Sequence, residues 1–255
     1  MLDFEGRKVV LKALTGSYNY NLNDETSDKD YKYFVLPTFD DLYYNKMYSK
    51  SEQSPTLDYS VHDIRKLPEL FWKANLNFLE ILYSKKLDIF PSIDPYGDSS
   101  NNDLDSLALA GEIFSMREEI VTMNLPYLYN SCKGMYFEKM KRLEQGTQTT
   151  QILVDKYGYD TKQALHAYRV LDFCISISQG EFFEDALVYD GGKRSFILDI
   201  KHGEYTLTAF KDLMEYHKSV FDKVEPWFKE QKPNEETKAK VDLLVKELVR
   251  RNIND

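Results

Sequence analysis

LTGSYNYNLNDETSDKDYKYFVL, residues 14–36, carries the end of one predicted β-strand and the whole of a second. The first strand, residues 7–14, is apolar and β-branched and stops at Thr-Gly-Ser. The second, residues 30–36, ends before a proline. Because residues i and i+2 of a strand point to the same face, we expect Asp28 and Asp30 to present their carboxylates side by side.

Paired carboxylates and the preceding Gly-Ser turn together predict a site for a metal ion and a phosphate. Two adjacent carboxylates raise each other's pKa unless a cation lies between them, and Mg²⁺ prefers oxygen ligands of this kind. Gly16 would let the backbone approach a phosphate, which the Ser17 hydroxyl and neighbouring N–H groups would bind. Either motif alone is common on solvated loops, so the prediction depends on their combination at this spacing.

A third carboxylate follows on the next predicted strand. Residues 57–64 alternate strictly between apolar and polar side chains, the period of a half-buried strand. Asp58 lies on the polar face, where it would complete a metal site. The alternative for Asp58 alone is an ordinary solvent-facing position.

The pattern G-S-x-x-Y-x-L, followed by S-D-x-D-Y-K-x-x-x-L-P, resembles the predicted nucleotidyltransferase branch of the DNA polymerase β-like superfamily, found in phages and bacteria. The resemblance extends over about residues 9–215. It is carried by Gly16, Ser17, Tyr20, Leu22, Thr26, Ser27, Asp28, Asp30, Tyr31, Lys32 and Pro37, by Asp58-Tyr59, by residues 75–82, by Lys162, His166 and Arg169, and by residues 200–204.

Two positions depart from the family pattern. Asn21 stands where the family most often has Gly, and Asn tolerates a positive φ better than most residues. Leu76 replaces the usual Pro. Neither is one of the predicted metal ligands.

The resemblance implies transfer of a nucleoside monophosphate from an NTP to an acceptor hydroxyl, with release of pyrophosphate. Two Mg²⁺ ions would be held by Asp28, Asp30 and Asp58, and Asp58 would also be the candidate general base. Gly16 and Ser17 would hold the β- and γ-phosphates. The acceptor would be an RNA end, a protein or a small molecule.

A basic helix face is the second predicted part of the nucleotide site. Lys162, His166 and Arg169 are spaced i, i+4 and i+7, which places them on one face of a helix. With the resemblance, they are expected to form a basic wall over the triphosphate. The alternatives are a solvated polar stripe and, for His166, a histidine packed in the core.

Composition narrows the class of protein. The 255 residues carry 33 Lys+Arg against 42 Asp+Glu, a net charge of −9, which argues against broad nonspecific binding of nucleic acid. No apolar run approaches the roughly 18 residues of a membrane span. The chain has only two cysteines, without the spacing of metal ligands, which argues against a disulfide framework and against a cysteine zinc site. We therefore expect a cytoplasmic protein, or one of the host cytoplasm if a phage encodes it, without membrane partners and with its oligomeric state open.

The predicted fold class is α+β, with a small mixed-sheet nucleotidyltransferase head at residues 1–90 and a mostly helical body at 91–255 that closes the nucleotide cleft. A polar stretch at residues 94–105 marks the boundary. Residues 191–193 are interpreted as a turn and 194–200 as a short strand or buried connection. Helices are expected at residues 64–83, with Pro68 in the first turn, and near 107–120, 127–146, 160–179, 205–220 and 234–251.

Two other functions remain open at this point. One is a nucleotide-binding regulatory protein of the same fold that has lost turnover. The other is a protein-interaction module that acts by occlusion. Three carboxylates close together disfavour both, because buried charges are costly without a cation.

Overall fold

The computed structural model describes residues 3–25, 27–53, 58–90, 102–147 and 149–253, and within them the protein is α+β, as predicted. One five-stranded mixed sheet has the order β3-β4-β2-β1-β5. Its β2 and β4 are parallel and the other neighbours are antiparallel. The strands are β1 (Val9–Thr15), β2 (Asp30–Val35), β3 (Ser49–Gln53), β4 (Asp58–Asp63) and β5 (Leu87–Ile89).

The three central strands, β1, β2 and β4, confirm the strand predictions to within two residues at each end. The two edge strands were not predicted. Ser49–Gln53 is polar throughout and Leu87–Ile89 has only three residues, so neither shows an apolar period.

Alternation along β2 and β4 separates the two faces of the sheet. One face buries an aromatic and aliphatic cluster of Phe4, Tyr33, Val35, Tyr59 and Val61. The rings in this cluster meet at tilted or edge-on angles, as at Tyr33 and Tyr59, whose centroids are 5.9 Å apart. The intervening residues, which include the predicted metal ligands Asp30 and Asp58, therefore point to the opposite face.

Helices account for most of the rest of the described chain. They are α1 (Phe39–Tyr43), α2 (Leu67–Trp72), α3 (Leu76–Leu79), α4 (Asn102–Ser115), α5 (Arg117–Thr122), α6 (Leu125–Arg142), α7 (Gln151–Tyr157), α8 (Thr161–Ser178), α9 (Phe183–Leu187), α10 (Gly191–Lys201), α11 (Leu207–Glu230) and α12 (Glu235–Asn252). None of the described helices is long and apolar enough to cross a membrane.

The chain forms two compact units. The first contains Met1–Asn19, Asn23–Met123 and Asn234–Asp255, and therefore holds the sheet and α12. The second contains Tyr20–Leu22 and Asn124–Pro233. The boundary predicted between residues 90 and 91, and most of the polar stretch assigned to it, fall in residues 91–101, outside the described residues.

The single helix predicted at residues 64–83 is wrong. Pro68 does lie in the first turn of α2, but that helix ends at Trp72, and Ala74 takes a positive φ of 45°. The Asn75 side chain then caps α3 by accepting a hydrogen bond from the Asn77 N–H. Ala74, a residue in the left-handed conformation between two apolar segments, interrupts the helix, and no Gly or Pro at this point of the sequence predicts the interruption.

Residues 191–200 were also predicted wrongly, both as a turn and as a short strand. They form α10, in which Ile197 and Ile200 are buried at a helical spacing. Seven residues are too few to separate a period of 2 from a period of 3.6 when apolar side chains satisfy both. The predicted helix at 107–120 is divided near Met116 into α4 and α5, and the remaining predicted helices are confirmed, with α11 continuing to Glu230.

An ion pair joins the N-terminal segment to the turn after β2. The Arg7 guanidinium donates from Nε and Nη2 to the two Asp41 carboxylate oxygens, each at 2.8 Å. Asp41 is 3% exposed and also accepts the Thr38 N–H in a capping box at the start of α1. The hydrogen bond from Arg7 lowers the pKa of Asp41 from 3.8 to about 2.

We expect Asp41→Asn to lower the free energy of unfolding by about 2 kcal/mol at pH 6. Because the folded-state pKa lies below the ordinary value, the carboxylate stabilises the fold above about pH 4, and this contribution is lost as the pH falls towards 2. About half of this contribution to the free energy of unfolding should be lost by pH 3. Urea unfolding at pH 6 and pH 3 measures the difference, with exposed Asp40→Asn as control. A difference that does not shrink at pH 3 would contradict the assignment.

Candidate functional site

Asp30 and Asp58 are the first residues of two neighbouring parallel strands, so both lie at the same end of the sheet. Asp30 is the first residue of β2, Asp58 is the first of β4, and the register pairs them directly. One carboxylate oxygen from each, together with one from Asp28, lies within 4.8 Å of the others, and all three residues are half-buried. The structure therefore brings together the three carboxylates that the sequence predicted as a set.

Asp28 reaches this cluster from outside the sheet. The prediction placed Asp28 and Asp30 on one strand, but β2 begins only at Asp30, and Asp28 belongs to the preceding connection. The strand rule thus explains the direction of Asp30 and not that of Asp28. The loop nevertheless delivers its carboxylate to the same place.

The donor set fits a hard divalent cation. Three carboxylates at this separation repel one another in the absence of a cation, and oxygen ligands of this type suit Mg²⁺. Asp28, Asp30 and Asp58 are the residues that would hold it. An exposed acidic cluster alone is common, so the argument depends on what surrounds the carboxylates.

Gly16 lies against the Asp30 carboxylate. Thr15 ends β1 opposite Asp30, and Gly16 then turns the chain with a φ of +72° into a short 3₁₀ turn, Gly16–Tyr18. A Cβ atom at Gly16 would come within 2.1 Å of the Asp30 Oδ2 atom, so no larger residue fits without displacing that carboxylate. Ser17 follows directly and is half-buried. The Gly-Ser turn and the carboxylates are therefore one local structure.

The Gly16 N–H is engaged by a residue that the sequence reasoning did not single out. It donates to the Glu80 Oε2 atom at 3.2 Å, and the Lys32 ammonium lies 3.5 Å from the Glu80 Oε1 atom. Glu80 is 2% exposed. Lys32 was among the residues that carry the resemblance, and Glu80 lies in the matching segment 75–82, but neither was given a role. The position of Lys32 on the same face of β2 as Asp30 could have suggested one, whereas the contact of Glu80 with Gly16 is distant in sequence.

His62 continues the polar face of β4 beyond Asp58 and Ser60. Its Nε2 atom lies 3.1 Å from the Ser60 Oγ atom, and its ring packs on Phe34 and Phe78. Burial, reinforced by the charges of Lys32 and Lys66, lowers the pKa of His62 to about 4. The imidazole is therefore neutral near pH 7 and adds no positive charge to this face.

The basic helix face lies on α8, in the second unit. Lys162 is exposed, His166 is half-buried and Arg169 is buried at 1% exposure, so burial increases along the face. The Arg169 guanidinium carbon lies 3.6 Å from the centre of the Tyr20 ring. Burial, together with nearby cations led by Arg169, lowers the pKa of His166 well below its usual range. His166 is thus a neutral histidine.

Residues 20–22 are held within the second unit. Asn21 has a φ of +61°, which confirms that Asn supplies the positive φ where the family pattern has Gly. Its side-chain amide donates to the Tyr189 carbonyl at 2.9 Å, and Lys201 donates to the Leu22 carbonyl at 3.2 Å. Tyr20 is buried, so its ring packs in the core and is not available to stack on a base.

No protein-family model matches the chain, and no curated protein matches it. The nucleotidyltransferase assignment therefore stays a prediction from the residues quoted above. Thr26, one of those residues, lies outside the described part of the chain.

We expect Gly16→Ala to be more destabilising than Gly6→Ala. Both glycines have similar positive φ values, +72° and +76°, so the backbone cost of a Cβ is matched. Gly6 has open space where its Cβ would be, whereas the Gly16 Cβ would overlap the Asp30 carboxylate. The overlap should cost about 1–3 kcal/mol beyond the shared backbone term.

Urea unfolding of the two variants measures this difference. Equal losses of unfolding free energy would mean that the turn relaxes away from Asp30 without cost, and the close packing of turn and carboxylate would then be refuted.

Proposed function

We propose that this protein is an Mg²⁺-dependent nucleotidyltransferase of the DNA polymerase β-like type. It would transfer a nucleoside monophosphate from an NTP to an acceptor hydroxyl and release pyrophosphate. The observation that carries the proposal is the convergence of Asp28, Asp30 and Asp58 beside a glycine turn. Carboxylates that hold divalent cations next to a backbone able to approach a phosphate are what phosphoryl-type transfer requires of a protein.

The three carboxylates would act by holding and orienting charge. Asp28, Asp30 and Asp58 would hold Mg²⁺, two ions in the family mechanism, and the bound metal would neutralise charge on the phosphates and lower the pKa of an acceptor hydroxyl. Asp58 is the proposed general base, since its carboxylate is one of the three that meet and it lies at the start of β4. Asp30 and Asp28 would fix the site from β2 and from the connection that leads to it.

The glycine turn would place the leaving group. Because Gly16 has no side chain, the turn packs directly against the Asp30 carboxylate and so stays beside the proposed metal site, where the phosphates would bind. Ser17 would supply its hydroxyl and its N–H to the β- and γ-phosphates. The Gly16 N–H is donated to Glu80, so Gly16 would contribute the close packing of the turn on Asp30 and not a hydrogen bond to the phosphate.

Lys162, His166 and Arg169 are proposed to assist nucleotide binding from α8. Exposed Lys162 has the charge and the freedom to approach a phosphate. His166 would act as a neutral hydrogen-bonding group, because burial keeps it deprotonated. Buried Arg169, stacked on Tyr20, would make the electrostatic potential of this face of α8 more positive and would hold the Tyr20 ring in place.

We expect the purified protein to transfer label from an NTP labelled at the α-phosphate. The assay supplies ATP, CTP, GTP and UTP in turn with Mg²⁺ and with RNA 3′ ends, proteins or small hydroxyl compounds as acceptors. Asp28→Asn and Asp30→Asn should lower the rate by about 10²-fold or more, because each removes a ligand charge that stabilises the transition state. Chelation of divalent cations should abolish transfer.

Asp88→Asn is the matched control, since Asp88 is a half-buried strand aspartate on β5 that is not one of the three carboxylates. Its rate should equal that of the wild type. Tight NTP binding without pyrophosphate release would contradict the proposal and indicate a nucleotide-binding regulatory protein. A protein that neither binds nor transfers nucleotide, with biological activity retained in the triple carboxylate variant, would favour an interaction module.

A further inference from the structure

Glu80 carries a carboxylate that the metal site does not use. It begins a short 3₁₀ turn, Glu80–Tyr83, that follows α3, and it is 2% exposed. A buried carboxylate is electrostatically unfavourable unless specific partners compensate its charge. Both of its oxygens have such partners, because one accepts the Gly16 N–H and the other lies 3.5 Å from the Lys32 ammonium.

The same segment holds the other end of the glycine turn. The Glu80 carbonyl accepts a hydrogen bond from the Asn19 side-chain amide at 3.2 Å, and the Lys85 N–H donates to the Asn19 side-chain oxygen at 3.0 Å. Asn19 is fully buried, and its own N–H closes the turn on the Gly16 carbonyl at 2.9 Å. The turn is thus held at its first residue, Gly16, and at the residue that follows it, Asn19, by one segment.

The Gly16 turn is fixed between two carboxylates with different roles. Asp30 lies where the Gly16 Cβ would be, and Glu80 holds the Gly16 N–H. Lys32 follows Asp30 by two residues on β2 and so links the strand of the metal ligand to Glu80. A displacement of Glu80 would therefore move the turn relative to Asp30.

We infer that Glu80, with Lys32 as its counter-ion, is a positioning residue that holds the Gly16–Ser17 turn in the conformation that binds the triphosphate of the nucleotide. The inference rests on the proposed function. Glu80 touches neither the metal nor the nucleotide. It acts by keeping the Ser17 hydroxyl and N–H at a set distance from the three carboxylates.

The test compares Glu80→Gln with the double variant Glu80→Met/Lys32→Met. The double variant replaces both partners of the buried ion pair by apolar side chains of similar length, so it leaves no uncompensated buried charge and should fold. Glu80→Gln keeps a side-chain oxygen for the Gly16 N–H but loses the charge. Glu69→Gln is the control, since Glu69 is 53% exposed and forms an ion pair with Lys73 on the protein surface.

Four measurements are made on each protein. They are urea unfolding, amide exchange of Gly16 by NMR with nitrogen-labelled glycine, affinity for Mn²⁺ without nucleotide, and affinity for a non-hydrolysable NTP with Mg²⁺. In the double variant, Gly16 exchange should be at least about tenfold faster and NTP affinity at least about tenfold weaker. Mn²⁺ affinity should not weaken, and Glu80→Gln should show smaller effects of the same kind.

Unchanged NTP affinity in a folded double variant would overturn the inference. So would a parallel loss of unfolding free energy, Mn²⁺ affinity and NTP affinity, which indicates general loosening. If the double variant does not fold, Glu80→Gln decides by the same comparison. A wild-type protein that binds no nucleotide rejects the proposed function and this inference with it, whereas wild-type binding that the Glu80 variants retain rejects only the inference.

Discussion

The parallel register between β2 and β4 is the constraint on which the candidate site depends. It sets Asp30 opposite Asp58 at the start of both strands. The register is fixed by the other face of the sheet, where Tyr33, Val35, Tyr59 and Val61 are buried together. A slip of one residue would turn these side chains towards the polar face and the aspartates into the aromatic cluster. The hydrophobic core therefore specifies the register that places the carboxylates of Asp30 and Asp58 side by side.

Much of this arrangement could be predicted from sequence because it is local. The alternation at residues 57–64 placed Asp58 on the polar face of its strand, and the three predicted aspartates do meet, although Asp28 arrives from the connection before β2 and not by the i, i+2 rule. The prediction was less accurate where tertiary contacts decide. Ala74 breaks a helix that its sequence would continue, and residues 191–200 become helical because Ile197 and Ile200 are buried. The edge strands exist only because β4 and β1 provide hydrogen-bonding partners.

Glu80 shows what local sequence cannot provide. Its contact with Gly16 joins residues 64 positions apart. From sequence alone, a glutamate in a short apolar segment predicts only a polar position. Its burial follows from the packing of α3 and the following 3₁₀ turn against the central strands β1 and β2. A resemblance can mark such a residue as part of a pattern without giving its role. Only the hydrogen bond to the Gly16 N–H and the ion pair with Lys32 give that role a physical content.

The charge balance of the site explains why an acidic protein is compatible with phosphate chemistry. The net charge of −9 is a sum over the whole chain, whereas the charges that matter for the candidate site belong to Asp28, Asp30, Asp58, Lys32 and Glu80. On the face of β2 that carries Asp30, Lys32 forms an ion pair with Glu80, so its positive charge compensates the buried Glu80 carboxylate and not the three aspartates. Three carboxylate oxygens within 4.8 Å of one another still repel. A bound divalent cation would relieve that repulsion only in the folded state, where the three carboxylates meet, so its binding would be thermodynamically linked to the stability of this end of the sheet.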